Sequence, residues 1–241
     1  MKYFTILLIL LTSVGYSQKY IDIETGMVFS GYNDVQIPRS TGTRISLYNE
    51  LKPDPAVFVR GRFSYLINNR HWISLLVAPL RINSQESINH PITFNGVSFP
   101  ANTELTSRYR FDSYRITYRY TLVEKEKVKF GLGFTAKIRD ASISLQGDNQ
   151  FSEKTNTGFV PIINFNLQWL LNNNFSFILD GDALGAPQGR AEDVFAGIIY
   201  NLNKNLDLKL GYRILEGGAN VEEVNNFTLI NYAALGAIAK F

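Results

Sequence analysis

Residue types that commonly carry catalysis are sparse in this chain. It has two histidines, His71 and His90, and no cysteine. Asp180 and Asp182 flank a glycine, but paired acids acting as a catalytic site also need a base within hydrogen-bond reach, and nothing in the sequence brings His90 to them. The serines have no distinctive neighbours, and there is no nucleophile elbow, metal-ligand cluster or phosphate-binding loop. The catalytic residues are therefore unknown, no metal or cofactor is predicted, and an enzyme is not the favoured class.

Strict alternation of apolar and polar residues is the dominant pattern. From Leu206 to Ile214 every second residue is apolar, and the residues between them are charged or glycine. A period of two predicts a strand with one apolar and one polar face. Ten such segments are predicted at residues 19–30, 56–67, 71–83, 108–122, 127–146, 157–170, 175–183, 193–202, 205–215 and 228–241.

The connections between these segments alternate in length. Short polar turns are predicted at residues 68–70, 123–126, 171–174 and 203–204, and long loops at Gly31–Pro55, Ser84–Ser107, Gly147–Asn156, Ala183–Glu192 and Glu216–Asn226. Thr43–Leu51 is assigned to the first loop, although it also fits a short helix or an extra strand. Within the second loop, Asn95-Gly96 lies between two short alternating runs and predicts a β-hairpin that projects above the membrane.

The N-terminus and the composition limit the location of the chain. Residues 1–17 combine Lys2, a short apolar run and small residues before Gln18, which is the pattern of a signal peptide. The remainder, residues 18–241, is predicted to be one domain. The formal net charge is +3 and the mean hydropathy is −0.06. Because the basic residues form no run, nucleic acid is excluded as a partner.

The last strand ends on Phe241, with an aromatic residue at the end of the chain. This ending resembles the Gram-negative outer-membrane β-barrel proteins, whose final strand closes the barrel. The resemblance implies an all-β fold, a transmembrane antiparallel up-and-down β-barrel of about ten strands located in the outer membrane. It also implies contact with outer-membrane lipid, and recognition of the last strand by the barrel assembly machinery. Strand lengths near the roughly 9–11 residues that cross a bilayer fit this fold.

Charged residues on the polar faces are predicted to line the lumen. The inward set is Asp22, Glu24, Asp180, Asp182, Asp193, Asp207, Arg60, Arg62, Arg115, Arg119, Lys129, Lys137, Arg139, Lys209 and Arg213. The favoured interpretation is ion pairing between neighbouring strands, with Asp22 and Glu24 beside Arg60 and Arg62, because a buried unpaired charge is costly. The alternative is a slightly basic interior that attracts anions.

A second inward set is apolar and lies toward the long loops. It comprises Phe58, Leu76, Ala78, Leu80, Val160, Ile162 and Phe195. These residues form either a pocket for a small-molecule or lipid ligand, or a surface on which loops pack; the second interpretation is favoured. Pro79 and Pro161 interrupt strands here, and proline removes a ladder donor, so each marks either a weak seam or a bulge.

The functional prediction is a small outer-membrane barrel with a polar, closed lumen and a structural, binding or narrow transport role. Two alternatives remain open from the sequence. One is a lipid-modifying or hydrolytic outer-membrane enzyme. The other is a surface adhesin acting through its external loops.

Overall fold

The computed structural model describes residues 17–187 and 189–241, and it is built from fourteen β-strands in chain order. They are β1 (Ser17–Gln36), β2 (Ile45–Ser46), β3 (Ala56–Ile67), β4 (His71–Ala78), β5 (Arg81–Ser87), β6 (Ile92–Phe94), β7 (Val97–Phe99), β8 (Glu104–Glu124), β9 (Val128–Gly147), β10 (Gln150–Leu170), β11 (Phe175–Ala186), β12 (Gly189–Asn203), β13 (Leu206–Val221) and β14 (Val224–Lys240). The predicted signal peptide, apart from Ser17, lies outside the described residues.

The strands close into an antiparallel barrel. Around the ring the order is β1, β3, β4 with β5, β8, β9, β10, β11, β12, β13 and β14, and β14 pairs with β1 to close it. Counting β4 and β5 as one interrupted strand gives ten barrel strands, so the predicted fold class is confirmed. Backbone hydrogen bonds between Lys19 and Phe241, at 3.0 and 3.1 Å, complete the closure at the chain ends.

A belt of apolar side chains covers the outside of the barrel. Val59, Phe134 and Leu210 are 56%, 73% and 67% exposed, although each lies within a barrel strand. The residues that alternate with them point into the barrel, and many are charged and buried. This inversion of the water-soluble pattern identifies the outer surface as the face that contacts lipid.

Among the described residues, no α-helix is long and apolar enough to cross a membrane.

Three of the five predicted long loops are wrong. β9 and β10 are joined by a turn at residues 148–149, and β13 and β14 by a turn at residues 222–223, while β11 ends at Ala186 and β12 begins at Gly189. The predicted loops are strand extensions whose backbone pairing continues to these turns. Beyond the membrane the outer face of the barrel wall meets water, so these extensions need no row of lipid-facing apolar residues and their sequences look like loops.

The first two loops are long, and together they close the outer mouth. The predicted hairpin is present as β6 and β7, with φ angles of 46° at Asn95 and 83° at Gly96. It does not project above the barrel, because the side chains of Ile92, Phe94 and Phe99 are each 1% exposed. They pack with residues of the first loop and of the upper barrel wall into one apolar cluster, which we call the cap. Thr43–Leu51 contains only the two-residue β2, which pairs with β1 outside the ring.

Candidate functional site

The centre of the lumen is occupied by a layer of charged side chains from opposite walls. Asp193 on β12 is its hub, with Oδ atoms 3.0 Å from Arg60, 2.5 Å from Arg115 and 2.6 Å from Arg213. Arg213 also donates two hydrogen bonds to Glu24, at 2.7 and 2.9 Å. All five side chains are nearly inaccessible to solvent. This arrangement satisfies the charges that the strand pattern directs into the barrel.

A second group of ion pairs lies beside the hub and crosses the full width of the barrel. Arg62 Nη1 is 2.7 Å from Asp180 Oδ2, and Arg119 Nη1 is 3.0 Å from Asp180 Oδ1. Arg115 also reaches Asp182 at 2.6 Å. β3, which carries Arg62, and β11, which carries Asp180, are five positions apart around the ring of ten. We call the hub and these pairs together the charged layer.

Neutral polar residues complete the charged layer, and the sequence interpretation missed them. Thr135 Oγ1 donates to Asp182 at 2.6 Å, and Asn164 Nδ2 donates to the same carboxylate at 3.0 Å. Asn166 Nδ2 donates to Asp180, also at 3.0 Å. Their inward parity is visible in the alternation of β9 and β10, but the sequence does not show which carboxylates they meet. They satisfy carboxylate lone pairs that the arginines leave free.

The predicted pairing of Asp22 and Glu24 with Arg60 and Arg62 on the neighbouring strand holds at one position only. Asp22 lies opposite Arg62, and Glu24 opposite Arg60, in the β1–β3 register. Arg60 approaches Glu24 at 3.8 Å, whereas Arg62 forms its ion pair across the barrel with Asp180. Asp22 and Glu24 instead receive Lys209, at 2.6 and 2.8 Å. Long arginine side chains in a narrow lumen also reach opposite strands. The expectation of pairing between adjacent strands does not include such contacts.

The remaining charged residues on the predicted list lie outside the charged layer. Asp207 pairs with Lys240 at 2.7 Å, and Lys129 pairs with Glu124 at 2.9 Å, both at the periplasmic end. They line an open polar vestibule of about 480 Å³. Lys137 and Arg139 lie on the other side of the charged layer, toward the cap.

Most of the predicted apolar pocket is filled by packing. Phe58, Leu80 and Phe195 are buried within the cap cluster. Leu76, Ala78 and Ile162 are also buried. The loops pack against this region, as the favoured interpretation expected. Val160 is the exception, because it lines an open cavity.

That cavity lies beside the cap in the outer half of the barrel. Its volume is about 310 Å³, and its walls come from β8, β9 and β10 on one side and from β12, β13 and β14 on the other. Tyr109, Phe111 and Leu215 supply apolar surface, while Lys137 and Arg139 supply positive charge. We call it the outer cavity.

The candidate catalytic groups are not assembled. Asp180 and Asp182 accept hydrogen bonds from arginines in the charged layer. His90 lies in the second loop, 2.9 Å from Glu50 of the first loop, and this hydrogen bond raises the pKa of His90. His71 lies at the periplasmic end, with Nδ1 3.0 Å from the hydroxyl of Tyr118. Within residues 17–187 and 189–241, no group of three or more His, Cys, Asp and Glu residues is arranged to hold a metal ion.

The outer rim beside the cavity carries a separate ion pair. Arg190 donates to both carboxylate oxygens of Glu216, with Nη2–Oε1 at 2.7 Å, and Tyr32 donates to the same carboxylate. Arg213, on the same strand as Glu216, belongs to the charged layer, so the rim is held by Arg190 and Glu216.

Comparison with known proteins identifies the architecture. No protein-family model and no curated protein matches the sequence. The structure is similar to that of the outer membrane protease OmpT from Escherichia coli, with a TM-score of 0.62 and 9% identity over 93% of this chain and 97% of that one. Weaker likenesses are to Ail of Yersinia pestis (TM-score 0.42, 13% identity, 92% and 99% covered) and the Pseudomonas putida toluene transporter TodX (0.38, 9%, 92% and 89%).

At these identities the likeness shows the fold alone. Together with the lipid-facing belt, it defines the chain as an outer-membrane β-barrel of ten strands. A fold does not fix a function, so the role of this chain has to be argued from its own lumen.

Proposed function

We propose that this protein is a non-conducting outer-membrane barrel that binds a small apolar or amphipathic molecule in the outer cavity. The observation that carries the proposal is the position of the cavity. It lies above a charged layer whose ion pairs, such as Arg62 with Asp180, join opposite walls of the barrel. A ligand bound in the cavity therefore lies on the outer side of the charged layer, without a continuous path to the periplasm.

The charged layer argues against transport through the barrel axis. An ion crossing it would have to separate buried pairs around Asp193, and breaking a buried pair costs about 3–5 kcal/mol. The hub side chains contact Asp193 at 2.5–3.0 Å, and the space on the periplasmic side of the hub is small, about 150 Å³. The cap adds an apolar barrier on the outer side.

The outer cavity has the size and chemistry of a binding site. Ligand sites typically enclose about 300–1,000 Å³ and combine apolar walls with a few polar groups. The outer cavity, at about 310 Å³, meets both criteria. An enzyme is less well supported, because Asp180 and Asp182 are engaged with arginines and His90 with Glu50. A loop adhesin is also less well supported, because the hairpin of the second loop is buried in the cap.

Two measurements test the proposal. In planar bilayers the refolded protein should give no steady ion current. In nanodiscs it should bind a neutral apolar fluorophore such as 1-N-phenylnaphthylamine saturably. Ala141→Trp, which fills the cavity, should abolish that binding, whereas Ala136→Trp on the lipid-exposed face of the same strand should not. Steady current from the wild type, or fluorophore binding indifferent to Ala141→Trp, would overturn the proposal.

A further inference from the structure

We infer that the ligand of the outer cavity is an acyl chain carrying one anionic group, and that it enters sideways from the outer leaflet between β10 and β11. This inference rests on the proposed binding function and adds the class of ligand and the route. Three observations carry it: an unpaired seam in the barrel wall, the level of that seam, and two cations in the cavity without carboxylate partners.

The seam is a gap in the hydrogen-bond ladder. The last β10–β11 pair toward the outside is Ile163 with Ala183. Above it, residues 150–162 of β10 pair with β9 only, and β11 continues to Ala186 paired with β12 only. No backbone hydrogen bond among the described residues joins the two free edges. The wall of the barrel is therefore interrupted beside the outer cavity, which Val160 lines.

The sequence explains where the two strands separate. Pro161 lies two residues beyond the last pair and has no N–H group to donate to β11. On the facing strand, Gly185 has the outward parity of Ala183, and a Cβ atom placed on it would have no neighbouring atom within 4 Å, so nothing covers the outer face at this point. Proline thus leaves the edge of β10 without a donor, and glycine leaves the outer face beside the edge of β11 uncovered.

The same barrel has a second seam that contains a proline, and that seam is closed. It can be compared directly with the open seam between β10 and β11. Beyond Gly61 with Val77, β3 no longer pairs with the next strand, and Pro79 interrupts that strand. There the first loop fills the gap, with Pro53 bridging to Ser84 and the Asp54 N–H donating to the Asn83 carbonyl at 2.8 Å. The β10–β11 seam has no such backbone filling among the described residues.

The seam opens at the level of the outer leaflet. On the outward faces, apolar side chains give way to polar ones after Ile138 on β9 and after Phe159 on β10, and these two residues are register partners. Ile163 lies four residues on the membrane side of Phe159, so the seam begins within the apolar belt. A molecule dissolved in the outer leaflet meets the opening directly.

The cations in the outer cavity call for an anion. Lys137 is 2% exposed, and no carboxylate of the described residues lies within 4.0 Å of its Nζ; the ring of Phe111 lies 4.9 Å away. Within the part of the chain that the structure describes, the side chain of Arg139 donates only to Asn156, and its Nε is buried without a partner. Glu216 is the one acid among the described residues that line the cavity, and it is held by Arg190. Because an unpaired buried charge is costly, a bound anion would stabilise both cations.

The remaining walls suit a hydrocarbon chain. Tyr109, Phe111, Ile143, Val160 and Leu215 supply most of the apolar lining. A carboxylate or a phosphate can satisfy Lys137 and Arg139 equally, so a free fatty acid and an anionic phospholipid share the required chemistry. A peptide adding to the free edge of β10 is a different class of partner, and it would leave both cations unpaired.

Ligand class is tested by competition against the neutral fluorophore in phosphatidylcholine nanodiscs. Dodecanoate should displace the fluorophore with an apparent affinity at least about tenfold higher than that of dodecanol. This is the factor expected from a hydrogen bond to a charged group. Lys137→Met should abolish this preference. Lys129→Met, on the same strand but paired with Glu124 at the periplasmic rim, should leave it intact. Equal affinity of the acid and the alcohol, with fluorophore binding intact, would overturn the inference while sparing the proposed function.

The route is tested by blocking the seam. Gly185→Trp should slow dodecanoate association at least about tenfold with little change in affinity, since lateral entry is then obstructed. Gly61→Trp is the matched control, because that glycine also has open space around it. If Gly185→Trp fails to show heat-modifiable folding, Pro161→Val, which restores a donor to the seam, replaces it. Unchanged association in the folded variant would overturn lateral entry.

Native mass spectrometry of the protein extracted from outer membranes separates the sources. A bound fatty acid or a bound anionic phospholipid supports the inference and tells the two apart. A bound peptide, or a neutral lipid alone, contradicts it. Absence of fluorophore binding by the wild-type protein would instead refute the proposed function itself. Failure of the proposed function and failure of the ligand class are therefore distinguishable.

Discussion

Arg62 and Asp180 are 118 residues apart in the chain and lie on opposite walls of the barrel, yet Nη1 of the arginine is 2.7 Å from Oδ2 of the aspartate. The same carboxylate receives Arg119 through its other oxygen, at 3.0 Å. One acid therefore holds two bases from two different strands. This asymmetry makes the acid more important for stability than either base.

We expect Asp180→Asn to destabilise the barrel by about 3–5 kcal/mol, because it leaves two guanidinium groups in a poorly solvated interior. Arg62→Met should cost less, about 1–3 kcal/mol, because Asp180 keeps Arg119 and Asn166. The double variant should cost less than the sum of the singles. The measurement is the free energy of unfolding in urea from lipid vesicles.

The exposed pair of Lys129 and Glu124 is the control for the comparison of the single and double variants at Arg62 and Asp180. Its removal should change the free energy of unfolding by no more than about 1 kcal/mol. Additive losses for Arg62 and Asp180 would show that the cross-lumen pair does not contribute. Equal losses for the two single variants would contradict the proposed asymmetry.

The charged layer and the cap should act as two barriers in series. Replacing residues 88–103 by Asn-Gly removes the cap hairpin and joins Ser87 to Glu104, which are already register partners. Arg115→Ala with Asp193→Ala opens the hub of the charged layer. We expect each change alone to leave the barrel non-conducting, and the combination to give steady current in planar bilayers. Current from either change alone would identify the single layer that seals the lumen and refute the series arrangement.

The contact between His90 and Glu50 should make the outer loops sensitive to pH. The hydrogen bond raises the pKa of His90 above its ordinary value near 6.5. The contribution of this hydrogen bond to the stability of the loops is therefore complete at pH values below 6.5. It is lost as the pH rises through the raised pKa of His90. The effect should not exceed about 1 kcal/mol, because both side chains are partly exposed.

Amide hydrogen exchange in residues 43–51 measures this effect. At acidic pH these amides should be better protected in the wild type than in His90→Gln. At alkaline pH this difference in protection should disappear. A constant ratio across the titration would show that the pair does not hold the loops together.

Phe241 should matter for assembly rather than for stability. Its side chain is 69% exposed, while its backbone pairs with Lys19. If the barrel assembly machinery recognises the terminal aromatic residue, Phe241→Ala should lower the fraction of heat-modifiable, folded protein in cells several-fold. The free energy of unfolding of the refolded barrel should change by less than about 0.5 kcal/mol. A large loss of stability in vitro would assign Phe241 a structural role instead.

The alternation of apolar and polar residues predicted ten strands and the polar face of each one, because the two-residue period of a strand is a local property that each segment carries by itself. The Asn95-Gly96 turn was predicted for the same reason, since a two-residue hairpin depends on the conformational preferences of those residues. The short periplasmic turns follow from local patterns as well. The closed barrel, its last strand and the inward direction of the charges followed from the resemblance to outer-membrane barrel proteins.

Tertiary structure decided everything that depends on which distant residues meet. The sequence predicted pairing between neighbours, whereas Arg62, Arg115 and Lys209 reach strands across or further around the ring. The strand extensions at residues 150–156, 183–186 and 189–192 had no apolar alternation to reveal them, because their outer face lies beyond the lipid. Pro79 and Pro161 look equivalent in the sequence, but only the fold shows that the first loop closes the seam at Pro79 and leaves the one at Pro161 open. The period of a strand is encoded residue by residue, but the curvature of a closed ring sets which side chains share its centre.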